Sequence, residues 1–176
     1  MRHLLLTLLV GLAALVHPAG ADGPWRGQVV DAETGRPLAG VVVLAFWTRS
    51  TPSLGGWAAT EYHASEEVVT GPDGRFLIGS RWSYTIPLVV KVQGPEWRVF
   101  KPGYGAWRYP HEDAVDHFSR GQETELRLEP LTTKEARVAF MRAMSVPVHV
   151  PVEKRTRLMD ALNIERLHLG LGGDLK

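Results

Sequence analysis

Residues 27 to 46, Gly-Gln-Val-Val-Asp-Ala-Glu-Thr-Gly-Arg-Pro-Leu-Ala-Gly-Val-Val-Val-Leu-Ala-Phe, constrain the fold more than any other stretch. Two β-branched runs flank a connection punctuated by Gly and Pro, which predicts two strands meeting at a turn. The second run, Val41 to Trp47, is apolar on both faces. Val41, Val43 and Ala45 point one way, and Val42, Leu44 and Phe46 the other. A strand with one wet face alternates apolar with polar residues, so something must cover this one on both sides. At 176 residues the chain has the material of one domain with a sizeable core.

Along the chain, Trp25 to Glu33 reads as the first strand and Thr34-Gly35-Arg36-Pro37 as its turn. Residues 48 to 57 read as a polar loop. Glu61 to Thr70 is a strand, Pro72-Asp73-Gly74 a turn, and Arg75 to Ile78 its hairpin partner. Leu88 to Gln93 and Glu96 to Phe100 follow as strands, and residues 105 to 121 as a long excursion without a period. Gln122 to Glu129 alternates cleanly, with Thr124, Leu126 and Leu128 inward and charged residues outward, a pattern that also protects a sheet edge. After Pro130 the period becomes helical. Thr132 and Glu135 form a capping box, and Ala136, Ala139, Phe140, Ala143 and Met144 form the apolar stripe. A second helix runs from Pro151 or Val152 to Leu169, with Leu158, Ala161 and Leu162 on its stripe and Gly170 as C-cap.

Gly27, Val29, Asp31, Thr34-Gly35, Pro37-Leu38, Gly40 and Asp73-Gly74-Arg75-Phe76, with Lys101-Pro102-Gly103-Tyr104-Gly105 downstream, resemble the carboxypeptidase regulatory-like domain. That family belongs to the transthyretin-like (prealbumin-like) group. The resemblance covers roughly residues 25 to 130. It implies a mainly β fold, a Greek-key β-sandwich of about seven strands, to which the sequence adds a C-terminal pair of α-helices. It also implies a module that supports folding or interaction beside other proteins.

The first residues address the compartment. Arg2 and His3 precede the apolar stretch Leu4 to Val16, and Ala19-Gly20-Ala21 presents small residues to a signal peptidase, which predicts cleavage before Asp22. The apolar run is too short to span a bilayer, so no membrane anchor is expected after cleavage. The expected organisation is a signal peptide over 1–21, the β-sandwich over 22–131 and a helical extension packed on it over 132–176. Removing Arg2 leaves 19 basic and 19 acidic residues, without the basic excess of a nucleic-acid binder. With no cysteine, neither disulfides nor lipid attachment at an N-terminal Cys is possible.

The densest group of ligand-type side chains is His111-Glu112-Asp113-Ala114-Val115-Asp116-His117. On a helix, Asp113 and His117 would share a face beside Asp116 and could hold a divalent cation through mixed oxygen and nitrogen ligands. It is not the His-Glu-x-x-His motif of zinc proteases, because Val115 stands where that motif needs its second His, and a solvated acidic loop explains the same residues. Intradiol ring-cleaving dioxygenases share a related sandwich and bind iron through two Tyr and two His. Tyr62, Tyr84, His111 and His117 occur in that order, but the closely spaced His pair of that family is missing. The Tyr-Arg-Gly-Ser of the transthyretin-like hydrolases is missing too. Of six tryptophans, Trp57 and Trp107 lie in Gly-rich loops where an exposed ring could stack on a sugar, and the others read as packing residues. His149, alone between valines, reads as a packed linker residue.

These observations favour an exported, non-catalytic binding or scaffolding module, periplasmic or secreted, with a protein or glycan partner at the cell envelope and no cofactor or tightly bound metal. The alternatives are a small metal-dependent enzyme using the cluster from His111 to His117, and a carbohydrate-binding module using loop tryptophans.

Overall fold

A computed structural model describes residues 21–52, 58–82, 90–105 and 122–172. Among these residues the fold is mainly β, with two helices at the end. The strands are β1 (Ala21–Asp22), β2 (Trp25–Asp31), β3 (Val42–Pro52), β4 (Ala58–Val69), β5 (Arg75–Ile78), β6 (Arg81–Trp82), β7 (Lys91–Phe100) and β8 (Glu123–Leu128). They form two three-stranded sheets, ordered β5-β2-β8 and β4-β3-β7, and a two-stranded ribbon of β1 and β6. The helices are α1 (Lys134–Ala143) and α2 (Thr156–Leu169), with a 3₁₀ turn at Val152–Lys154 before α2.

Both expected hairpins are corrected by this topology. The two runs of residues 27 to 46 do not pair with each other, since β2 lies in one sheet and β3 in the other. The chain reverses after Asp31 and makes one bridge, Val30 to Pro37, and the Leu38 N–H donates to the Val29 carbonyl at 2.8 Å. It then crosses to the second sheet. Likewise β4 pairs with β3, whereas β5 pairs with β2. The Pro-Asp-Gly turn is locked to the first sheet instead, because the Val29 N–H donates to the Gly74 carbonyl at 2.8 Å. Gly74 has φ +73°, and a Cβ there would lie 2.5 Å from the Val29 carbonyl oxygen, so only glycine fits. Turn chemistry fixes where the chain reverses, but the choice of strand partner is made by contacts far away in sequence.

β3 is the central strand of its sheet and longer than expected. Thr48 to Pro52 continue it, although the sequence reads there as loop, because β4 and β7 supply ladder partners on either side. Residues 53–57 lie outside the described set. The register shifts on both sides of β3 next to Thr48, and opposite it β7 runs unbroken through Gly94 and Pro95, where two strands were expected. A bulge is where a strand tolerates proline, which has no N–H to give the ladder. β8 alternates as expected and occupies a sheet edge, parallel to β2.

The two faces of β3 enter two different cores. Val41, Val43, Ala45 and Trp47 join Val29, Phe76, Ile78, Trp97, Leu126 and Leu128 in an apolar cluster shared by both sheets. Val42, Leu44 and Phe46 join Phe100 and, from the helical layer, Met141, Leu158, Met159, Ala161, Leu162 and Leu169. The helices therefore cover the second apolar face of β3.

The helices differ from their expected details. Thr133, not Thr132, caps α1, accepting from the Ala136 N–H at 3.2 Å, so the capping box with Glu135 does not form. α1 buries Met141 and packs Val138, Phe140 and Met144 against the second core, while Ala136, Ala139 and Ala143 face solvent. The helix is turned away from the alanine stripe because valine and methionine remove more apolar area from water than alanine. α2 starts at Thr156 after the 3₁₀ turn, not at Pro151 or Val152, and Gly170 closes it in the left-handed region at φ 72°. The N-cap Arg155 provides no side-chain cap. Glu67 of β4 takes that role: its Oε2 accepts from the Arg157 N–H at 2.9 Å and its Oε1 from the Leu158 N–H at 2.7 Å. A carboxylate there satisfies two free donors and opposes the helix dipole.

Candidate functional site

The best-defined polar centre among the described residues is built on Asp31, at the end of β2. Its Oδ1 accepts from the backbone N–H of Thr34 at 2.8 Å and of Glu33 at 3.0 Å, and from the Thr34 hydroxyl at 3.0 Å. Its Oδ2 accepts from the Tyr104 hydroxyl at 3.0 Å, 73 residues away in sequence. The Thr34 backbone donor foremost, and then the Thr34 and Tyr104 hydroxyls, hold the carboxyl below its ordinary range, against the opposing effect of burial. Tyr104 shifts the other way, raised by burial and by its bond to the carboxylate. Asp31 and Tyr104 thereby tie the first turn to the end of β7.

Acid titration exposes this arrangement. A carboxyl whose folded pKa is depressed from 3.8 stabilises the fold fully above that unfolded value, and the contribution is lost as pH falls through the folded one. Asp31→Asn, which keeps the shape without the charge, is expected to melt below the parent near neutral pH. The gap should narrow as pH falls below 3.8 and the folded carboxyl takes up its proton. Thermal melts across that range check it, and a gap that persists undiminished in acid would mean that the charge plays no part.

A second buried set surrounds Thr70. Its hydroxyl donates to the Leu38 carbonyl at 2.7 Å and accepts from the Val41 N–H at 2.9 Å, joining the start of β3 to the turn after β4. Three tryptophans pack around the shared core, with Trp25 to Trp47 at 5.4 Å and Trp25 to Trp97 at 6.1 Å between ring centroids, and Phe76 beside Trp97. Arg81 lies over the Trp47 ring, 5.1 Å from its centroid. Trp25, Trp47 and Trp97 are therefore packing residues, as their sequence context suggests.

The candidate ligands His111, Asp113, Asp116 and His117, the candidate sugar platforms Trp57 and Trp107, and Tyr84 all lie outside the described residues. Tyr62 is described: it packs against the core under the helices, its hydroxyl 3.1 Å from the Ser65 hydroxyl. His149 is exposed, not packed, because the segment between α1 and α2 turns it to solvent while Val150 fills the core. Among the described residues no three His, Cys, Asp or Glu side chains gather to hold a metal ion. No described helix is long and apolar enough to cross a membrane.

Sequence reasoning missed one polar pair. Arg137 of α1 donates to Glu165 of α2 through Nε at 2.6 Å and Nη2 at 2.5 Å, a bidentate pair in which Glu165 is almost fully buried. The bond to Glu165 raises the Arg137 pKa further above its ordinary value. A signal was present: Glu165 falls seven residues after Leu158 and four before Leu169, on the buried stripe of α2, where an acid needs a partner. Compared with known proteins, the chain matches no family model, no curated protein and no solved structure.

Proposed function

We propose that the chain is an exported, non-catalytic binding or scaffolding module of carboxypeptidase regulatory-like type. In this reading residues 22–131 are a transthyretin-like Greek-key β-sandwich, residues 132–176 a helical extension, and residues 1–21 a signal peptide that delivers the chain to the periplasm or beyond the cell. Its partner is a protein or glycan at the envelope. The observation that carries the reading is the use made of Asp31, the acidic residue of the first motif strand. Its carboxylate accepts four hydrogen bonds, from Glu33, twice from Thr34, and from Tyr104, all within the fold. Both oxygens thus hold the fold together, Oδ1 bound three times within the first turn and Oδ2 bound to Tyr104 at the end of β7. Other motif residues hold turns or fill the core: Leu38 and Gly74 bond to Val29, Gly40 bonds to Thr70, and Val29 and Phe76 are buried in the shared cluster.

Mass spectrometry of the exported protein under native conditions tests this. The expected species is a chain beginning at Asp22 without bound Fe, Zn or Ca. Near-stoichiometric metal, lost when His111 and His117 are both changed to Ala, would replace this reading with a metal-dependent enzyme. A chain retaining Met1 in the membrane fraction would remove the export step.

A further inference from the structure

α2 buries one apolar face in the fold and leaves two large aliphatic side chains on its outer, otherwise polar side. Leu158, Ala161, Leu162 and Leu169 enter the core beneath the helices, while Ile164 and Leu167 remain 49% and 72% exposed on the opposite side. Asp160, Ile164 and His168 are exposed at intervals of four residues, with Leu167 beside them, and form one seam along the outer side of the helix. Large aliphatic side chains set together in such a seam are what a helix presents to another helix.

We propose that this seam joins two copies of the chain as an antiparallel, two-fold symmetric dimer through α2. The charge pattern selects a second copy. Asp160 stands four residues before Ile164 and His168 four residues after it, both exposed. A two-fold axis at Ile164 therefore sets Asp160 against the partner's His168, and His168 against the partner's Asp160. An imidazole N–H donating to a carboxylate pairs in either protonation state of the ring. Leu167, one turn along, falls beside the partner's Ile164. The same patch thus complements itself, as a two-fold interface requires. Two aliphatic side chains per copy make a small interface core, so the dimer is a weak one.

Sedimentation velocity over a series from low micromolar to sub-millimolar protein tests this. The purified protein is expected to pass from monomer to dimer. Leu167→Lys, at a position 72% exposed, should fold as the parent does and weaken the dimer about tenfold or more. Asp160→Lys alone should weaken it, and Asp160→Lys together with His168→Glu should restore it, because the swapped charges again face each other. A parent that stays monomeric throughout would overturn the proposal. So would a Leu167→Lys variant that dimerises like the parent, or a charge swap that restores nothing.

Discussion

Arg137→Ala is expected to lower the unfolding free energy by roughly 3–5 kcal/mol, among the largest effects of any single substitution in this chain. The reason lies in Glu165, whose side chain is only 2% exposed and whose two oxygens are both bound by Arg137. Removing the guanidinium leaves a carboxylate without its counter-charge in an apolar layer. Glu165→Ala should cost less, because the Arg137 side chain keeps 27% of its surface in contact with solvent and can turn its charge to water. The asymmetry separates desolvation from attraction: if the pair stabilised mainly by Coulomb attraction, either truncation would cost the same. Replacing both residues by methionine should recover most of the stability, since an apolar pair of similar volume carries no charge to desolvate. Urea unfolding of the three variants measures each quantity. A loss below about 1 kcal/mol in Arg137→Ala would show that water or another group satisfies Glu165.

What the sequence reveals follows from the range over which each feature is encoded. β8 is legible because one of its faces is wet, so charged and apolar residues alternate in register with the pleat. The turns at Thr34 to Pro37 and Pro72 to Gly74 are legible because a chain reversal is written in adjacent residues. Which sheet the chain enters next is decided by contacts such as Val29 with Gly74, 45 positions apart, and no local pattern records it. Thr48 to Pro52 are polar and still form strand, because a central position between two partners outweighs composition. On α1 the alanines of the expected stripe compete with valine and methionine on a neighbouring face, and the larger side chains prevail. The polar ties of the helical layer show the same division. Glu165 betrays itself by sitting on a buried stripe, whereas nothing near Glu67 in sequence announces that it caps a helix some 90 residues later. Of the candidate site, the motif residue Asp31 emerges as a turn anchor, and the cluster from His111 to His117 lies outside the described residues.

A chain ending at Leu131 is expected to aggregate or to unfold at physiological temperature. Without α1 and α2, Val42, Leu44, Phe46 and Phe100, each at most 5% exposed in the whole protein, would face water. At roughly 1.5–3 kcal/mol for each side chain returned to solvent, the four together forfeit on the order of 6–12 kcal/mol. That equals most of the 5–15 kcal/mol by which a typical domain is stable. The truncation also frees Glu67 from the two backbone donors it now binds, which removes a polar tie without leaving a buried charge, since the carboxylate regains water. Leu158→Ala and Leu162→Ala probe the same layer in the intact chain, and each should cost about 2–5 kcal/mol as a cavity opens beneath the helix. The two experiments answer different questions. The substitutions measure how well the layer packs, and the truncation measures whether the sheets can stand uncovered. Thermal melts and light scattering of the shortened chain decide the second. If it stays monomeric and melts with the full-length protein, the apolar face of β3 does not need the helices, and their packing there contributes little to stability. If it is lost while Leu158→Ala and Leu162→Ala fold with the expected penalties, the helical layer is an integral part of the core that Val41 to Trp47 demand from both sides.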